Sequence, residues 1–213
     1  DATIGLKTVA ANNVVVKGAG NTTITTVTTG TPADDVASID ASALTGTLTY
    51  TNLATATTGI IGSSTAKNTL NLTSTGVTVA AITGSANDEV NLAVSAGTLN
   101  VNTGAGDDKV TVKAALTGKA TIDMGAGTND TLVLDAAAAL VGAGNSSQVT
   151  LSGVETIIVN QDSTLFNNVL LDGKAYTIKT TNDAHVIVVN AYDKTGAATT
   201  ASTDLSGLTL STA

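Results

Sequence analysis

The chain has 213 residues and a formal net charge of -8; 42% of it is hydrophobic, 12% charged and 2% aromatic, with no Cys and one His. Zero Cys excludes disulfides, thiolate metal sites and cysteine nucleophiles, and nine Lys with no Arg against 17 acidic residues argue against a nucleic-acid partner. No apolar run approaches about 18 residues, so no segment reads as a membrane-spanning helix.

The large aromatic residues are Tyr50, Phe166, Tyr176 and Tyr192, with no Trp. Any core must therefore come from Val, Ile, Leu, Ala and Thr, and is expected to be thin, repetitive and too narrow for large side chains. The chain starts at Asp1 and reads as a piece of a larger protein. We expect one elongated domain over 1–213, best defined over 60–145 and less regular over 146–213.

Along the chain, apolar residues recur with period two in runs bounded by Gly, Asn, Asp or Ser, which is the strand signal. Such runs are Thr69-Leu70-Asn71-Leu72-Thr73, Val90-Asn91-Leu92-Ala93-Val94, Val110-Thr111-Val112, Thr131-Leu132-Val133-Leu134 and Val186-Ile187-Val188. Ala136 to Leu140 and Ala197 to Ala201 could instead form short helical turns. His185, ahead of Val186, reads as a strand-end surface residue rather than a catalyst. No G-x-S-x-G elbow or phosphate loop accompanies it.

Glycine-rich turns punctuate these strands at a constant interval. Thr83-Gly84-Ser85-Ala86-Asn87-Asp88 is followed by Thr103-Gly104-Ala105-Gly106-Asp107-Asp108 and by Met124-Gly125-Ala126-Gly127-Thr128-Asn129-Asp130. The period is about 20 residues. Degenerate copies precede at Gly62, with Asn68 in place of Asp, and at Gly18, with no acid. A unit this short cannot bury its own apolar face, so it must stack in parallel on the next, about 4.8 Å away. The predicted fold is all-β, a parallel β-solenoid. Leu70, Leu72, Val90, Leu92, Val110, Val112, Leu132 and Leu134 should form one inward ladder, with Leu99, Val101, Ile122 and Met124 on the opposite wall. An antiparallel sandwich with regular turns is the alternative.

The turns resemble the nonapeptide G-G-x-G-x-D-x-U-x of RTX proteins. Gly104, Gly106, Asp108 and Val110 fit it, with Thr103 at the first Gly; Gly84 and Asp88 fit in the first copy, Gly125, Gly127 and Asp130 in the third. Glycine permits the tight turn, and Asp supplies a carboxylate at a fixed offset. Stacked turns would then offer oxygen ligands to a hard cation such as Ca²⁺ and relieve repulsion between Asp88, Asp108 and Asp130. The candidate metal residues are Gly84, Asn87, Asp88, Gly104, Gly106, Asp107, Asp108, Gly125, Gly127, Asn129 and Asp130. Ions are expected between the turns at Gly84 and Gly104, and between those at Gly104 and Gly125. Solvated Asx turns are the alternative.

With these turns, Leu151-Ser152-Gly153-Val154-Glu155-Thr156-Ile157-Ile158-Val159 and Ile39-Asp40-Ala41-Ser42-Ala43-Leu44-Thr45-Gly46 are similar to segments of RTX-type S-layer proteins of Gram-negative bacteria. The resemblance implies a secreted, calcium-dependent solenoid, exported by type I secretion. It would self-assemble by lateral contacts into a cell-surface lattice, with cell-surface polysaccharide as a further partner and no catalytic role. An adhesin or ice-binding solenoid is the rival; Thr23-Ile24-Thr25, Thr47-Leu48-Thr49 and Thr121-Ile122-Asp123 are not expected to share a register. A polysaccharide-acting β-helix enzyme is a weaker rival, since Arg and an acidic cluster outside the turns are lacking.

Overall fold

The computed structural model describes residues 1–6, 12–26, 36–52, 59–73, 79–94, 98–116, 118–136, 149–160, 164–167, 175–181, 187–190, 206 and 209–212. His185 and residues 137–140 and 197–201 lie outside them. The described elements are all strands, numbered here along the chain. One sheet holds β1 (Ala2–Leu6), β3 (Thr22–Thr26), β5 (Leu48–Asn52), β7 (Asn68–Leu72), β9 (Glu89–Leu92), β11 (Lys109–Val112), β13 (Thr131–Leu134), β15 (Thr156–Val159), β17 (Thr177–Thr180) and β19 (Thr209–Thr212), in that spatial order. The facing sheet holds β2 (Asn12–Gly18), β4 (Val36–Leu44), β6 (Gly59–Ile61), β8 (Val79–Ile82), β10 (Leu99–Asn102), β12 (Ala120–Asp123) and β14 (Val149–Ser152). A separate pair joins β16 (Thr164–Asn167) to β18 (Ile187–Asn190).

Neighbours in each sheet alternate with strands of the other, and every pairing is parallel. That is a coil advancing one strand per turn, a β-solenoid of about 21 residues per turn, and it removes the antiparallel sandwich. The step is 20 residues from Asp88 to Asp108, 22 to Asp130 and 25 to Glu155. The coil tolerates these insertions because the strands stay in register while the connections absorb the extra length.

The core lies between the sheets. Its central column runs Ile24, Tyr50, Leu70, Val90, Val110, Leu132, Ile157 and Ile178, all buried. Leu72, Leu92, Val112 and Leu134 follow beside it, and Leu99, Val101, Ile122 and Met124 line the other wall, as the period-two pattern predicts. Full burial of each such side chain is worth about 1.5–3 kcal/mol. Among the described strands the outermost members of this column are Ile4, 39% exposed, and Leu210, 70% exposed.

One expectation needs correction. Large rings do fit: Tyr50 is fully buried, in the same column as Ile24 and Leu70. The triplets Thr23-Ile24-Thr25, Thr47-Leu48-Thr49 and Thr121-Ile122-Asp123 do not share a register, as expected, but threonines line up across the ten-stranded sheet. One outward row of the ten-stranded sheet reads Thr3, Thr23, Thr49, Thr69, Glu89, Lys109, Thr131, Thr156, Thr177 and Thr209. Thr47 precedes its strand and Thr121 belongs to the other sheet, whereas Thr49-Tyr50-Thr51 pairs in register with Thr23-Ile24-Thr25.

Candidate functional site

The three turns enter β9, β11 and β13, and their residues sort into three columns. The innermost contains Asn68, Asp88, Asp108 and Asp130, all buried, at 0–2% exposure. These side chains occupy an inward position; one coil earlier Leu48 fills it, bonded in register with Asn68. Carboxylates thus stand where the period would otherwise place an apolar residue.

Hydrogen bonding explains how they are held. Each carboxylate accepts the backbone N–H at the same position of the preceding coil. Asp88 Oδ1 accepts Asn68 N at 2.6 Å, Asp108 Oδ1 accepts Asp88 N at 2.7 Å, and Asp130 Oδ1 accepts Asp108 N at 2.7 Å. Glu155 Oε2 closes the series on Asp130 N at 2.8 Å. Asp88 is fully engaged, for Oδ1 also accepts Asn68 Nδ2 at 3.0 Å and Oδ2 accepts Gly84 N at 3.1 Å. In contrast, Asp108 Oδ2 and Asp130 Oδ2 are buried without a hydrogen-bond partner.

The second column is exposed. Asn87 Oδ1 accepts Asp107 N at 3.0 Å, and Asp107 Oδ1 accepts Thr128 N and Asn129 N, each at 3.2 Å. Asn129 Nδ2 donates to Asp107 Oδ2 at 3.2 Å. This Asn–Asp–Asn ladder joins residues 20 to 22 positions apart on successive coils, whereas an Asx turn bonds the backbone two residues on.

The third column is backbone. Gly84, Gly104 and Gly125 stack directly: Ala105 N donates to Gly84 O at 2.9 Å and Ala126 N to Gly104 O at 2.8 Å. Gly104 and Gly125 have φ of +89° and +76°, and a Cβ on either would collide with the carbonyl oxygen of the glycine one coil before. Only glycine satisfies both demands. Gly106, at φ +122°, sits against Ala86 O, and a Cβ on Gly127 would lie 2.6 Å from Asp130 Oδ2. The structure therefore brings Asp88, Asp108 and Asp130 together but separates them from Asn87, Asp107 and Asn129.

Burial drives the electrostatics. It pushes the Asp108 carboxyl up to about 6; the Thr103 hydroxyl and the Asp88 N–H offset part of this, and the Asp88 and Asp130 charges add to it. Thr103 has one hydroxyl hydrogen to give; donated to Met124 O, at 3.0 Å, it leaves Asp108 Oδ2 without a hydrogen-bond partner. Burial likewise raises Asp130, with the Asp108 N–H opposing and the Glu155 and Asp107 charges adding. Exposed Asp107 moves the other way, held down by the Asn129 amide and the Thr128 N–H. Unit charges one rung apart repel by about 3 kcal/mol at an effective dielectric near 20. The ion pairs among the described residues, Lys67 and Lys109 with Glu89 at 3.9 Å each, do not reach this column.

Chemically, two buried anionic oxygens on adjacent coils invite a proton or a hard cation. Among the described residues no group of three or more His, Cys, Asp or Glu is arranged to hold a metal ion. A cation here would complete its shell with backbone carbonyls or water rather than further carboxylates. Asp88, with both oxygens engaged, offers less.

Fixed-period alignment misses Glu155, because the step to it is 25 residues. The signal was local: Glu155 precedes Thr156 as Asp130 precedes Thr131. The buried hydroxyl column was also missed. Ser63 Oγ donates to Leu44 O at 2.6 Å, Thr83 Oγ1 to Thr103 O at 2.6 Å, and Thr103 continues it. Comparison with protein-family models, curated proteins and solved structures returns no match for this chain.

Proposed function

We propose that this chain is a structural, non-catalytic β-solenoid segment of a secreted bacterial cell-surface layer of the RTX type. Calcium stabilises it, and lateral contacts between copies assemble it, with cell-surface polysaccharide as a further partner. The observation that carries the reading is the pair of orphaned carboxylate oxygens, Asp108 Oδ2 and Asp130 Oδ2, buried on successive coils. A hard cation bound there would supply positive charge, keeping both acids ionised and tying one coil to the next. Asp108 and Asp130 would hold it. Gly127 leaves room beside Asp130 Oδ2, which a Cβ there would crowd, and Gly104 and Gly125 let the turns stack closely.

Calorimetric calcium titration, paired with electron microscopy, tests this. We expect saturable calcium heat, a Tm that climbs with the logarithm of free calcium, and ordered sheets that EDTA disperses. Identical Tm values in calcium and in EDTA, without ordered sheets, refute it. The threonine row supports a second reading, adhesion to a hydroxylated solid such as ice or an insoluble glycan; ice-growth inhibition or co-sedimentation by monomeric protein would favour it.

A further inference from the structure

The outward threonine row has a symmetry that bears on assembly. Among the described strands Glu89 and Lys109 stand side by side in it, with four threonines on each flank. General β-propensity does not explain the bias. Eight of the ten members of this row are Thr, whereas the parallel row from Gly5 through Thr51 and Asn91 to Ser211 has three. The row is open to solvent: Thr3, Lys109 and Thr209 are exposed and the others half-buried, with the Glu89 and Lys109 side chains 32% and 51% exposed.

We propose that this face is an isologous interface between two copies of the chain, packed face to face with antiparallel coil axes. The two-fold axis runs parallel to the strands, between the Glu89 and Lys109 coils. That operation reverses the order of the coils but keeps each row opposite itself. Glu89 then lies over the partner's Lys109, and Lys109 over the partner's Glu89. Thr69 faces the partner's Thr131, Thr49 the partner's Thr156, Thr23 the partner's Thr177 and Thr3 the partner's Thr209. The centre becomes a square of four alternating charges, whereas the parallel arrangement would set Glu89 on the partner's Glu89. A charge pair mid-face also disfavours an uncharged solid as the occupant. In the second row Thr111 and Val133 are buried, so the match is built on the threonine row and its central pair.

Size permits a specific dimer. Ten strands make nine steps of about 4.8 Å, a strip roughly 43 Å long. At a width of about 13 Å the two copies together bury at most about 1,100 Å², the size of a weak, reversible interface. This inference rests on the self-assembling reading above and names one of its lateral contacts.

Analytical ultracentrifugation of the full chain in calcium tests it, with Glu89→Lys, Lys109→Glu and the double exchange. The wild type should dimerise, and each single reversal should weaken the dimer by about tenfold or more. The double exchange should restore it, since the self-complementary pattern returns. Mixed one to one, the two single variants should pair with each other, one bringing only cations and the other only carboxylates to the centre. A purely structural effect of either substitution would not produce that rescue, and Tm values of all four proteins check that they remain folded. A monomeric wild type at hundreds of micromolar, or dimers indifferent to the reversals, overturns the proposal. Monomers that bind ice or an insoluble glycan through this face do the same. Ordered sheets that survive both single reversals overturn this interface and leave the surface-layer reading standing.

Discussion

Acidification should stabilise this domain when calcium is removed. Burial raises the Asp108 carboxyl from 3.8 to about 6 in the fold. A group whose folded pKa is raised contributes stability that is complete below its unfolded value and lost as pH climbs through the folded one. Ionising Asp108 at pH 7.5 therefore costs the fold about 3 kcal/mol, at about 1.4 kcal/mol per pH unit. Moving from pH 7.5 to pH 5 in EDTA should return about 1.4 kcal/mol of that, with Asp130 adding in the same direction. For a chain of this length the gain corresponds to roughly 3–6 °C in Tm. Asp40 and Asp107, whose pKa values are lowered, lose their contribution only below pH 3.8, outside this window.

The assay is calorimetry on wild type and Asp108→Asn at both pH values. Asparagine already occupies the equivalent position at Asn68, fully buried, so the variant should fold. It should be the more stable protein in EDTA at pH 7.5 and should lack the Asp108 share of the pH response. With millimolar calcium the wild-type slope should reverse, because protons then compete with the ion for the same oxygens. Equal pH slopes in EDTA for the two proteins would refute the buried-carboxylate account.

Three further outcomes follow from the packing. Leu132→Ala, at a fully buried position, should cost about 2–5 kcal/mol by chemical denaturation, while Leu210→Ala at an exposed position should cost far less. Gly125→Ala forces a Cβ onto Gly104 O at φ +76°, so its Tm should fall well below that of Gly5→Ala, where nothing lies within 4 Å. Asn68→Asp lengthens the buried acidic column by one rung; it should lower stability in EDTA and steepen the rise of Tm with calcium, both read in one thermal series.

Period and alternation were legible along the chain because they repeat locally. An apolar residue every second position, interrupted by glycine at a regular interval, admits few arrangements other than stacked coils. The inward ladder of Leu70, Val90, Val110 and Leu132 was readable for that reason. The candidate site was only half readable. Asp107 and Asp108 are adjacent and chemically identical, and nothing local says that one is exposed and the other buried. Their roles diverge because strand alternation, set by the pairing of Lys109 with Glu89 and Thr131, turns Asp108 inward.

Composition and spacing thus determined that the chain coils, roughly where each strand lies and which residues fill the core, since these depend on neighbours a few positions away. The coil-to-coil register decided the rest. Residues 20 to 25 positions apart meet only when successive turns close, so the carboxylate–amide ladder, the place of Glu155 in it and the threonine row around Glu89 and Lys109 emerge with the stack. Insertions between turns shift spacing along the chain without shifting position in the coil, and that is why a fixed period could not foresee them.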